Sequence, residues 1–169
     1  LAVSNGGDKL IACDEAGSVS IFSLPDVTLL KHIDKAHTGK ISNIAVSVND
    51  SIFVTASDDK TIKIWKFTSG SLLHTLSNHK EAVKGVCIDA FNQLYSGDGG
   101  GKVIKWSNLN NPKPVMSAQT GVDIIDLNLD RTGSMMFVSG RHYHIEVVDS
   151  DSLKLKASFV HSRNGLPEV

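Results

Sequence analysis

His37, Ser57 and Asp59 are the residue types of a hydrolytic triad. In such a triad a histidine takes the proton of a nucleophilic serine and a carboxylate orients the imidazole, which requires an exposed, activated serine and an oxyanion hole. The run Gly97-Asp98-Gly99-Gly100-Gly101-Lys102 has the composition of a phosphate-cradling loop. It misses the spacing G-x-x-x-x-G-K-S/T, because Val103 follows Lys102. It also leads into a strand pattern, so no helix N-terminus stands behind it. A turn between strands is the better reading. His142 and His144 would face one side of a strand and could hold a metal. No third ligand lies at a telling distance, and Arg141-His142-Tyr143 also suits a turn. We therefore expect no catalytic residue, metal or cofactor here, and Tyr143 equally suits contact with a partner.

The elements that must position these residues are strands. Helical periodicity is almost absent, while short runs rich in Val, Ile and Phe alternate with turn signals such as NGGD, EAG, TSG, DGGG and RTG. That pattern indicates an all-β fold. The strands also repeat. TASDDKTIKIW ends at Trp65 and YSGDGGGKVIKW at Trp106; ACDEAGSVSIF ends at Phe22 and SGRHYHIEVV at Val148, a spacing of about 42 residues. His37, His79 and His161 keep the same rhythm, with Thr120 in the intervening slot. Each landmark is followed by apolar residues at matched offsets: Ile41, Ile44 and Val46; Val83, Val86 and Ile88; Ile124, Leu127 and Leu129. The second unit reads as strands near 41–47, 51–58, 61–67 and 71–77, paired as an antiparallel meander. Inner strands apolar on both faces require cover on both sides, which radial stacking of small sheets supplies.

This period, with its histidine landmark and third-strand tryptophan, resembles the WD40 repeat. The resemblance covers nearly the whole chain and is strongest in the second unit. Two departures are visible: the family's Trp-Asp reads Trp65-Lys66 and Trp106-Ser107, and its Gly-His reads Ala36-His37 and Asn78-His79. It implies a β-propeller with four-stranded blades near 1–34, 35–78, 79–118 and 119–159. Residues 160–169 would begin a further blade of a seven- or eight-bladed ring. It also implies a hydrogen-bonded network of His37, Ser57, Asp59 and Trp65, in which Ser57 accepts from the Trp65 indole and passes its own proton to His37. The third unit keeps His79 and Trp106 but has Asp98 where Ser is expected and Gly100 where Asp is expected. The fourth has Thr120, Gly140, His142 and Val148, so the network should be complete in one blade only. On this view the triad-like residues are structural.

Composition limits the function classes. The chain has 169 residues, 41% hydrophobic and 21% charged, with a formal net charge of -1. A near-neutral, evenly scattered charge exerts no long-range pull on phosphate backbones, so nucleic acid is not an expected partner. Cys13 and Cys87 lie in apolar stretches and read as buried thiols, which points to an intracellular protein, cytoplasmic or nuclear. The sequon Asn49-Asp50-Ser51 falls in a turn and matters only in a secreted protein. No apolar run reaches the length of a membrane span, and no signal peptide is visible. The chain opens on Leu1 in a strand-like run, as a piece of a longer protein would.

The expected function is therefore that of an interaction scaffold within a multiprotein complex, binding other proteins or peptides through rim loops. Carried over by position, the partner-binding rim is Thr38, Lys40, Asp58, Lys80, Ala82, Gly121 and Asp123. The open ends would be covered by further blades of the same chain or by a second copy. Two rival readings remain: a hydrolase using Ser57 and His37, and a reader of modified or acidic peptides or lipid head groups through Lys40, Lys80 and Lys84.

Overall fold

The structure, a computed structural model, describes residues 1–161 and 167–168, the last three of these in backbone only. Every regular element among them is a strand. The first sheet comprises β1 (Ala2–Val3), β2 (Lys9–Cys13), β3 (Val19–Ser23) and β4 (Leu29–Ile33). The second comprises β5 (Ile41–Val46), β6 (Ile52–Ser57), β7 (Ile62–Lys66) and β8 (Leu72–Leu76). The third comprises β9 (Val83–Ile88), β10 (Gln93–Asp98), β11 (Lys102–Asn108) and β12 (Pro114–Gln119). The fourth comprises β13 (Ile124–Leu129), β14 (Met135–Gly140), β15 (His144–Asp149) and β16 (Leu155–His161), with β17 (Pro167–Glu168) paired to β16. Each is an antiparallel meander in chain order. The expected start of a fifth unit at 160–169, with its landmark His161, falls largely on residues 162–166 and 169 and on the His161 side chain, outside the described residues.

The sheets stack through their first strands, β1 on β5, β5 on β9 and β9 on β13, which places these on the inside of a fan. The fold is a run of four β-propeller blades. Side-chain alternation explains why it holds. Successive residues on a strand point to opposite faces, so each inner blade feeds two cores. In the second blade Phe53 and its register partner Trp65 pack with Ile11 and Ile21 of the first. Val54 and Ile64, one residue along, pack with Val86, Leu94 and Trp106 of the third. Tyr95 and Val103 then turn the other way and meet Leu127, Met136 and Val138 of the fourth. All six positions of β6 are buried as a result.

Two rims follow from the meander. Links between blades and turns between second and third strands lie on one rim, here called the histidine rim. Turns between first and second strands and between third and fourth lie on the other.

Candidate functional site

His37 sits in the link between β4 and β5, fully buried beneath the histidine rim. Its Nδ1 lies 2.9 Å from Asp59 Oδ2 and its Nε2 2.7 Å from Thr55 Oγ1. Trp65 Nε1 donates to the same Thr55 oxygen at 2.9 Å. An indole N–H can only donate and a carboxylate can only accept, so the protons run in one direction. Trp65 donates to Thr55, the Thr55 hydroxyl to His37 Nε2, and His37 Nδ1–H to Asp59. Burial lowers the His37 pKa against the opposing pull of Asp59, which keeps the ring neutral as this chain requires. Burial alone would raise the Asp59 pKa. Hydrogen bonds from Thr61 and His37 overcome it and hold the carboxyl down at about 2. Asp59 also accepts Thr38 N–H at 3.1 Å and Thr61 N–H at 3.0 Å, tying the link to the turn.

The linking hydroxyl is thus Thr55, not Ser57. Ser57 is the last residue of β6, and its hydroxyl donates to Gly39 O and accepts Asp59 N–H, both at 3.1 Å. Strand alternation places Thr55 and Ser57 on one face, but only Thr55 lies deep enough in the blade to reach the Trp65 ring. This also removes the geometric basis of the hydrolase reading. Both His37 ring nitrogens are occupied by other groups, and Ser57 is spent on closing a turn.

The third blade differs from expectation in a second way: its tetrad is complete. His79 Nδ1 lies 2.7 Å from Asp98 Oδ2, His79 Nε2 lies 2.8 Å from Ser96 Oγ, and Trp106 Nε1 donates to Ser96 Oγ at 2.8 Å. Ser96 stands where Thr55 does. Asp98 occupies the strand-end slot of Ser57 and reaches the imidazole from there, so no carboxylate is needed at Gly100. Burial lowers the His79 pKa, again against its carboxylate. The fourth blade has no tetrad: Thr120 Oγ1 bonds Gly101 O at 2.8 Å, and the remaining slots hold Val138, Gly140 and Val148.

The glycine-rich run forms the turn between β10 and β11. Its amides are already used, since Asp98 Oδ1 accepts Gly100 N–H and Lys102 N–H. His142 lies in the turn between β14 and β15 and His144 at the start of β15, so the two do not share a strand face. Among the described residues no cluster of ligating side chains could hold a metal. Cys13 and Cys87 are free, and burial pushes both thiols up, Cys13 to about 12.

The rim residues expected from position are mostly engaged within the chain. Lys40 pairs with Glu15 across the first two blades at 2.5 Å. Asp58 pairs with Lys84 across the second and third at 2.5 Å and accepts Ser42 Oγ at 2.9 Å. Lys80 O accepts Lys60 Nζ, Ala82 O accepts Gly99 N–H, and Gly121 N–H goes to Glu146 Oε1. Asp123 O accepts Arg141 N–H, but its carboxylate makes no bond within the described residues.

The family model for "WD domain, G-beta repeat" matches residues 28–66 and 70–107. Each matched stretch runs from the outer strand of one blade through the third strand of the next, and so contains one whole tetrad. These two stretches carry WD40 repeats. Over 61 residues, 34% of this chain and 8% of the relative, it is 48% identical to "U3 small nucleolar RNA-associated protein 13" of Saccharomyces cerevisiae. Over 61 residues, 36% of this chain and 14% of the relative, it is 41% identical to "Dynein assembly factor with WD repeat domains 1" of Mus musculus. Among solved structures, "Structure of U3-55K" superposes with TM-score 0.86 at 21% identity, over 95% of this chain and 51% of its own. "Crystal structure of RRP9 WD40 repeats" gives 0.84 at 20% identity, over 94% and 49%. At these identities the structural likeness shows the WD40 propeller fold. The chain spans about half the length of those two propellers and a far smaller share of the two sequence relatives.

Proposed function

We propose that this WD40 chain is an intracellular interaction scaffold that holds a protein or peptide partner on its histidine rim, at the junction of the third and fourth blades. One observation carries this reading. A cavity of about 580 Å³ opens there, lined by Lys84, Asp123, Ile125, Arg141 and His142. Within the described residues no hydrogen bond or ion pair engages the side chains of Arg141, His142 or Asp123, whereas Lys40 and Asp58 on the same rim are paired. Unpaired charges of both signs beside the exposed apolar Ile125 suit a peptide better than a phosphate backbone. The hairpin that presents Arg141 and His142 carries residues uncommon for its turn type. His142 and Tyr143 both have positive φ, 59° and 61°, a type I′ geometry ordinarily given to Asn and Gly. Backbone strain of this kind is found where a rigid scaffold holds a recognition loop.

The test is affinity capture with the wild-type chain and with Arg141→Glu combined with Asp123→Lys. Stable partners should be lost, by about thirtyfold in affinity if these are hot-spot residues of about 2 kcal/mol, while the circular dichroism spectrum is unchanged. An unaltered set of partners contradicts the assignment. Recognition of acidic peptides or lipid head groups through Lys40, Lys80 and Lys84 is not favoured, because Glu15 and Asp58 already neutralise two of the three ammonium groups.

A further inference from the structure

We infer that the opposite rim carries a separate recognition site, a small uncharged pocket between the second and third blades that takes one apolar side chain and the adjoining main-chain amide of a neutral peptide segment. The pocket has a volume of about 240 Å³ and includes Asn49, Ser51, Phe91, Asn92, Asn108 and Asn110; none of its lining residues is ionisable. It is smaller than the roughly 300 Å³ at which sites for whole small molecules begin, so a single side chain is its natural measure.

The turns between first and second strands repeat through the chain, and the repeat isolates what is unusual here. Gly7, Asp50, Asn92 and Gly133 occupy one slot, all with positive φ of 71°, 53°, 61° and 73°. Asp50 uses its carboxylate to accept the N–H groups of Asn5 and Gly6 in the turn of the preceding blade. Asn92, one blade on, makes no such bond. Its Oδ1 is buried and unpartnered, one of two such side-chain atoms among the described residues, the other being Gln93 Nε2 beside it. A buried amide oxygen without a partner costs about 1–3 kcal/mol, which a ligand N–H would recover once the Asn92 side chain turns toward the pocket. The preceding slot holds Gly6, Asn49 and Thr132 in the other turns but Phe91 here, 85% exposed. The turn itself is closed by Asp89, whose Oδ1 accepts Phe91 N–H and Gln93 N–H, so nothing in it requires an aromatic ring. Asn49 and Asn108 spend only their Oδ1 atoms on their own turns, leaving both NH₂ groups to donate. An acceptor, two donors and an apolar lip without charge match a peptide unit and its side chain, whereas an ionised group placed there would lose its hydration without a counter-charge.

The test uses the chain labelled with ¹⁵N only at asparagine and titrated with N-acetyl-leucinamide. The side-chain amides of Asn49 and Asn108 should shift saturably. The shifts should weaken at least tenfold in Asn92→Gly, a residue the same slot accepts in two other blades, and in Phe91→Ala. They should persist in the Arg141→Glu/Asp123→Lys variant. Absence of saturable shifts, shifts unaltered by Asn92→Gly, or stronger binding of methyl β-glucoside would each overturn the proposal. None of these results bears on the histidine rim, which stands on a different cavity.

Discussion

At the scale of single residues, one hydroxyl decides how each blade is tied together. Thr55 and Ser96 each bridge an indole N–H and an imidazole nitrogen in full burial. Replacing Thr55 by Val keeps the shape but leaves Trp65 Nε1–H and His37 Nε2 without partners, and each costs about 1–3 kcal/mol. Thr55→Val should therefore lower stability and move the Trp65 indole N–H resonance. Ser57→Ala should leave that resonance in place, because Ser57 bonds only backbone groups of the rim. A Trp65 signal that responds to Ser57→Ala and not to Thr55→Val would contradict the assignment. The same pair shows how far a sequence carries. His37, Asp59 and Trp65 were legible from their rhythm. The choice between Thr55 and Ser57 was not, since both are hydroxyls on one strand face and only depth in the blade separates them.

At the scale of elements, the blades depend on close approach of their inner strands. Gly85 in β9 lies so near β13 that a Cβ there would stand 2.6 Å from Leu127 N and 3.0 Å from the Leu127 side chain. Leu127 N is main chain of β13, held by Asp126 Oδ1 at 2.9 Å, and cannot retreat without dragging its strand. Gly85→Ala should thus overpack the junction of the third and fourth blades by about 1–3 kcal/mol. For a chain of this size that lowers Tm by roughly 2–4 °C per kcal/mol. A melting curve superimposable on wild type would show that the blades are not in such contact. The turns between first and second strands carry a rhythm that sequence reading passed over. Ser4, Ser47, Asp89 and Asp130 each accept N–H groups across their own turn. They recur at the same spacing as the histidines. Small polar residues in turns are so common that this signal is visible only once the bonds are known.

At the scale of the whole molecule, two neutral buried histidines in adjacent blades make stability depend on pH. Burial lowers both pKa values below the ordinary 6.5, so the unfolded chain binds protons more readily than the folded one. Their contribution is fully present above about pH 6.5 and is lost as pH falls below it, at up to about 1.4 kcal/mol per pH unit for each proton. Asp59, held at about 2 against 3.8 when unfolded, contributes above about pH 4 and is lost between there and about 2. Urea unfolding at pH 7.5, 6.5 and 5.5 should show a flat upper interval and a falling lower one. Equal stability across all three would mean that the histidines are not buried neutral.

What the sequence determined was the repeat. Alternating apolar residues at a period of about 42 demand small sheets covered on both faces, and that demand is local enough to be read along the chain. The tertiary structure alone decided which carboxylate serves which imidazole, because Asp59 and Asp98 reach theirs from different slots and only distance in space shows that both succeed. It alone also decided which rim charges are free, since Lys40 meets Glu15 and Lys84 meets Asp58 across blade boundaries. Pairing of that kind depends on how sheets lean together rather than on the order of residues within any one of them.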